Sequence, residues 1–147
     1  MRKIVLSYLL VLCNLVAVAQ TPVRVACIGN SITYGAGIEN RERDAYPVQL
    51  QRMLGEGYVV GNFGKSGATL LNKGHRPYIE QKEFQRALTF AGDVVVIHLG
   101  INDTDPRDWP NYRDYFVRDY LALIDSFRVA NPKVRILVAR MTPITNR

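Results

Sequence analysis

Three short polar clusters each follow an apolar, β-branched run: Gly29-Asn30-Ser31 after Val23 to Ile28, Asn62 to Gly67 after Tyr58 to Val60, and Gly100-Ile101-Asn102-Asp103 after Val94 to Leu99. Ser31 offers a hydroxyl nucleophile, and Asn102 offers a carboxamide donor. Gly64 offers a backbone amide that a ligand can approach closely, because no side chain intervenes. A nucleophile with two donors suits acyl transfer, in which negative charge develops on a carbonyl oxygen. A serine just after a strand also serves as a helix cap or turn residue. The second and third clusters raise Ser31 above that ordinary reading.

The activating base is the missing part. The two histidines are His75 and His98, and neither has an aspartate three residues before it. His98 lies inside the third apolar run, where a core or supporting role is expected. His75 lies between Gly74 and Arg76 in a polar loop, which places it toward solvent. Metal ligands at usable spacing are absent, because two distant histidines and Cys27, inside an apolar run, make no site. No cofactor is implied. Gly64-Lys65-Ser66 resembles the tail of a phosphate-binding loop, but the glycine needed five residues earlier is Val59. Gly64 to Ala68 resembles a nucleophile elbow, but its fifth position is alanine, so Ser66 reads as a turn residue.

The elements that must carry these clusters alternate. Val23 to Ile28, between Pro22 and Gly29, reads as a strand buried on both faces. Tyr46, Leu50, Met53 and Leu54 recur at helical spacing until Gly55 and Gly57 end the helix. Tyr58 to Val60 is a second strand, Ile79 to Phe90 a helix, and Asp93 to Leu99 the strongest strand in the chain. Phe116, Tyr120, Ile124 and Phe127 mark a long helix ending at Asn131-Pro132, followed by a strand over Val134 to Ala139. Such alternation predicts an α/β domain with a parallel sheet and helices on both faces. The chain ends eight residues after that last strand, which predicts a domain incomplete at its C-terminus with an uncovered apolar edge.

The N-terminus reads as a secretory signal over residues 1–20: Arg2 and Lys3, an apolar stretch from Ile4 to about Val16, then Ala17-Val18-Ala19 before Gln20. The apolar run is too short for a spanning helix across about 30 Å of hydrocarbon, so stable membrane insertion after cleavage is not expected. Cys13 follows Leu12, where a lipoprotein signal needs a small residue. Losing Arg2 and Lys3 lowers the formal net charge from +6 to +4. The remaining positive charge is scattered, with Arg41 and Arg43 flanking Glu42 and Arg113 and Arg118 beside aspartates. A phosphate-tracking face is therefore not expected, and nucleic acid is excluded as a partner. Cys27 alone survives processing, so no intrachain disulfide forms and the thiol is a small core residue.

Taken together, the blocks Ile28 to Gly35, Asn62 to Gly67 and Leu99 to Asp103 resemble those of the SGNH (GDSL-type) hydrolases, in order and over roughly Val23 to Ala139. The resemblance implies a flavodoxin-like fold over residues 21–147 and a serine ester hydrolase. By resemblance Ser31 is the nucleophile. Its own amide, Gly64 and Asn102 form the oxyanion hole, while Asn30 and Asp103 support the loops. Two departures stand out. The family's usual aspartate in the first block is Asn30 here, and the C-terminal Asp-x-x-His block has no counterpart, so the catalytic His and Asp are absent and the chain alone should be poorly active. The stretches Asn62 to Gly67 and His98 to Asp103 are similar to those of bacterial carbohydrate O-acetylesterases, including the sialate-esterase-like group. That likeness implies a glycan or small-molecule ester substrate and a secreted or periplasmic location. Lipase or thioesterase chemistry, or a glycan-binding remnant without catalysis, are the alternatives. Trp109, Tyr112 and Tyr115, beside the third block, either stack on sugar rings or pack internally.

Overall fold

The computed structural model describes residues 21–141. The secretory signal expected over residues 1–20 lies outside the described residues. In chain order the elements are β1 (Val23–Gly29), α1 (Ser31–Tyr34), α2 (Arg41–Asp44), α3 (Tyr46–Leu54), β2 (Tyr58–Gly64), α4 (Lys82–Phe90), β3 (Val94–His98), α5 (Trp109–Tyr112), α6 (Phe116–Ala130) and β4 (Arg135–Val138). Single 3-10 turns span Tyr78–Glu80, Asn102–Thr104 and Arg113–Tyr115. The four strands form one parallel sheet in the order β2-β1-β3-β4. Chain order reverses direction across β1, so the loops leaving β1, β2 and β3 gather at the carboxyl edge where α/β sheets bind ligands.

Each face of the sheet is covered for a visible reason. On one face, Ala26 and Ile28 of β1, Phe63 of β2 and Val95 and Ile97 of β3 share a core with Phe84 and Ala87 of α4 and Leu123 and Phe127 of α6. Edge-to-face contacts run from Tyr78 to Phe84 and from Phe84 to Phe127, each with ring centroids 6.0 Å apart. On the other face, the Tyr46 hydroxyl of α3 lies 3.4 Å from Thr33 Oγ1 of α1, tying the two helices together. Gln51 of α3 then covers the open edge of β2, donating to Tyr58 O (3.0 Å) and accepting from Val60 N (2.7 Å). The parallel α/β sheet read from the alternation, flavodoxin-like as the family resemblance implies, is the arrangement present.

Several boundaries differ from the periodicity, and the differences are physical. β2 runs on to Gly64 because Gly61 to Gly64 pair in register with Ala26 to Gly29, although Gly61 and Asn62 carry no strand-like pattern. The helix expected over Ile79 to Phe90 divides into the Tyr78–Glu80 turn and α4, with Gln81 in extended backbone between them. Met53, on the expected apolar stripe of α3, is 83% exposed, whereas Pro47 is buried. β4 shows the open edge: Leu137 and Val138 are 43% and 53% exposed.

Candidate active site

Ser31 stands at the first position of α1, directly after the carboxyl end of β1. Asn30 caps that helix: its Oδ1 accepts from Ile32 N at 3.1 Å, and its backbone carbonyl accepts from Tyr34 N at 2.9 Å. The Asn30 side chain is buried, and its Nδ2 has no partner among the described residues. The Ser31 amide and hydroxyl likewise make no hydrogen bond among the described residues, and the residue is half-buried. A hydroxyl at the carboxyl edge of the sheet with an unengaged amide beside it is the arrangement a nucleophile requires.

Gly64 sits where β2 meets this helix. A Cβ built there would lie 2.1 Å from Tyr34 N and 2.6 Å from the Thr33 carbonyl carbon, so only glycine lets β2 end against the α1 backbone. Its own N–H donates to Asn62 Oδ1 at 2.9 Å. The amide assigned by the motif to an oxyanion is thus occupied within β2, and close packing accounts for the glycine. Gly67, three residues on, adopts φ +77 and its N–H meets no acceptor among the described residues. Asn102 points to that same turn: its Nδ2 donates to Ala68 O at 2.8 Å, leaving the second Nδ2 proton uncommitted. The sequence signal for Gly67 was available, because a Ser-Gly pair leaving a strand asks for a left-handed residue.

Three buried carboxylates hold the long loop after this turn. Asp103, 0% exposed, accepts from Leu70 N (2.9 Å, Oδ2) and Leu71 N (2.6 Å, Oδ1). Asp119 Oδ2 accepts from Asn72 N at 2.9 Å, and Asp108 Oδ1 accepts from His75 N at 2.9 Å. Desolvation pushes the Asp103 carboxyl above its ordinary range, opposed by the two backbone donors. The β2 loop is therefore pinned to the segment that follows β3. Asp108 and Asp119 were not picked out as functional residues in the sequence. Asp119 had a signal, since it lies three residues after Phe116 and four before Leu123, on the apolar side of α6.

Neither histidine touches Ser31. His75 is exposed, as expected, but its ring is engaged: its Nδ1 lies 2.6 Å from Asp108 Oδ2, whose side chain is 2% exposed. His98 ends β3 beside Gly29, half-buried, with no side-chain hydrogen bond among the described residues. Burial pushes the Cys27 thiol up to about 11, which keeps it protonated and unreactive. Two of the aromatic residues near the third block make contacts within the chain, although Trp109 is 38% exposed. Trp109 packs edge-on against Phe116 at 5.6 Å, and Lys73 and Arg118 each place a cation over the Tyr115 ring, at 4.6 and 4.4 Å. No group of three or more metal-ligating side chains occurs among the described residues.

Comparison with known proteins decides the family, because residues 27–147 match the model of the GDSL-like lipase/acylhydrolase family. The chain belongs to that family. It is also similar to an acetylxylan esterase of Xylanibacter ruminicola, 50% identical over 109 residues, which make up 74% of this chain and 22% of that protein. The chain thus spans about a fifth of that relative's length. Among solved structures, AlinE4, an SGNH-hydrolase family esterase, superposes with a TM-score of 0.58 at 19% identity, covering 81% of this chain and 59% of that one. An AlinE4 mutant gives a TM-score of 0.59 at 20% identity, covering 84% and 62%. These likenesses carry the fold. No helix among the described residues is long and apolar enough to cross a membrane.

Proposed function

We propose that the protein is an exported serine esterase that removes acetyl groups from a carbohydrate, with Ser31 as nucleophile. The observation that carries this reading is the meeting of three loops at one sheet edge. α1 presents Ser31, Gly67 offers a free amide, and Asn102 is fastened to the adjacent Ala68 carbonyl at 2.8 Å. Similarity to an acetylxylan esterase supports acetyl removal from a glycan. The signal-like residues 1–20 support export.

In the proposed reaction Ser31 Oγ attacks the ester carbonyl while a base takes its proton. The carbonyl oxygen becomes an oxyanion, held by the Ser31 amide, the second Nδ2 proton of Asn102 and a glycine amide. We assign that glycine donor to Gly67 and give Gly64 the role of seating β2 against α1, since the Gly64 amide is already held by Asn62. The C–O bond of the ester then breaks, and the base returns its proton to the departing sugar hydroxyl. Water, deprotonated by the same base, attacks the acetyl-Ser31 carbonyl and releases acetate. Asn30 and Asp103 position the two loops without touching the substrate.

Neither His75 nor His98 is hydrogen-bonded to Ser31 and the given sequence has no other histidine, so in this proposal the base comes from a part of the protein outside these 147 residues, and the 147-residue chain by itself turns over slowly. Assaying p-nitrophenyl acetate with this chain and with the product of its complete reading frame tests both halves. The expected result is hydrolysis by the complete product that is lost on Ser31→Ala, with little from the short chain. Equal hydrolysis by the Ser31→Ala variant would refute the assignment. Faster release from long-chain esters than from acetyl esters would replace the carbohydrate reading by a lipase one. Retention on a glycan column without hydrolysis by the complete product would favour a binding protein.

A further inference from the structure

We propose that the cleft beside Ser31 binds an anionic group of the substrate, so that the ester to be cleaved sits on an acidic saccharide rather than a neutral one. The inference rests on the esterase reading and deepens it. A cavity of about 470 Å³ is lined by Tyr34, Lys65, Ser66, Arg76, Lys82 and Glu83, together with Arg41 and Arg86. Five cations thus face one carboxylate in this cavity, and a second carboxylate, Glu42, lines the adjoining one. An adjoining cavity of about 310 Å³ shares Tyr34, Arg41, Glu83 and Arg86 and reaches Asn62 and Gly64 at the end of β2.

Two of the guanidinium groups are anchored, while Lys82 and Arg86 are exposed. Arg41 lies over the Tyr34 ring at 4.0 Å, and Arg76 Nη1 donates to Ser66 O at 3.1 Å. Arg76, Lys82 and Arg86 form no ion pair among the described residues, although Arg24, Arg43, Arg107, Arg118 and Arg128 all do. Two cations of the cleft are paired, Lys65 with Glu83 at 3.6 Å and Arg41 with Glu42 at 3.8 Å, and Glu83 Oε2 is buried with no partner among the described residues. A concave surface with unpaired positive charge focuses its field on an incoming anion.

The cleft is within reach of the reacting ester. Tyr34 ends the helix that Ser31 begins, about 4.5 Å away by helix rise. Arg76 is bound to Ser66, the residue before the Gly67 oxyanion donor. Planar carboxylates suit the two guanidinium forks of Arg76 and Arg86.

Titration calorimetry of the complete product at low salt tests the inference, with tetragalacturonate, xylotetraose and inorganic phosphate as probes. Tetragalacturonate is expected to bind at least tenfold more tightly than xylotetraose. The Lys82→Gln/Arg86→Gln variant, with unchanged circular dichroism, is expected to weaken it about tenfold, through loss of two exposed charge contacts. Glu83→Gln removes the opposing carboxylate and is expected to tighten binding. Equal affinity for the two saccharides, absence of tetragalacturonate binding, or indifference to both variants would overturn the proposal. Phosphate binding as tight as tetragalacturonate would overturn it in favour of a free-anion site. Failure of the esterase reading is distinguishable, because Ser31→Ala would then leave ester hydrolysis by the complete product unchanged while the binding differences persist.

Discussion

Replacing Asp103 by alanine should loosen the loop that carries the oxyanion donors before it affects anything else. The carboxylate is fully buried and satisfies two backbone amides, Leu70 N and Leu71 N, at 2.9 and 2.6 Å. Deleting it leaves two buried donors unpaired, at about 1–3 kcal/mol each. Part of that loss is offset, because the carboxylate's own desolvation, which raises its pKa, disappears with it. A net destabilisation of about 3 kcal/mol follows, which lowers the urea midpoint by roughly 1–2 M at ordinary m-values. Amide hydrogen exchange localises the effect: Leu70 and Leu71 should lose protection in Asp103→Ala while β1 and β3 keep theirs relative to global unfolding. A variant within about 0.5 kcal/mol of the parent, the range of an ordinary surface substitution, would refute the idea that the buried carboxylate ties the β2 loop down.

Other outcomes follow from the same geometry. Gly64→Ala should destabilise by about 1–3 kcal/mol, because its Cβ would meet the α1 backbone at 2.1 Å, and a urea midpoint measures it. Asn102→Ala in the complete product should lower kcat by about 10²–10³ with a smaller change in KM, as for loss of one oxyanion donor. Asp93 is held below its ordinary range by the Arg24 side chain, whose backbone N–H also donates to it at 2.8 Å. Its depressed folded-state pKa means that its stabilisation is present above the unfolded value of 3.8 and is lost as pH falls through the folded value. Asp93→Asn should therefore flatten the acid limb of the stability profile. Asp103 has the opposite sign: its folded-state pKa is raised, so its titration subtracts stability as pH rises from 3.8 through the folded value, and Asp103→Asn should remove that loss.

The sheet was legible because its signals are local. Each of the four apolar runs is short, β-branched and bounded, and helices with a buried stripe, such as Phe116 to Phe127, separate them. The extension of β2 through Gly61 to Gly64 was not legible, since pairing with β1 rather than any pattern in those residues imposes it. The same holds for the site. Ser31 and Asn102 could be read from strand-end positions, whereas the engagement of the Gly64 amide by Asn62 depends on a side-chain orientation that spacing does not specify. The pairing of His75 with Asp108 spans 33 residues, and so does the hold of Asp103 on Leu70. Contacts at that separation leave no periodic trace. The basic cleft was hidden for a related reason: Arg41, Lys65, Arg76 and Arg86 are scattered along the chain and converge only when α4 packs beside β2.

The central claim is that Ser31 carries the acetyl group in an oxyanion site completed by Asn102. Rapid quenching of the complete product with p-nitrophenyl acetate, followed by peptide mass mapping, tests it most directly. The account predicts an acetyl group on the peptide containing Ser31, absent in Ser31→Ala and formed about 10²–10³ more slowly in Asn102→Ala. An acetyl group on another residue, or acetylation of Ser31 at the parental rate in Asn102→Ala, would contradict it.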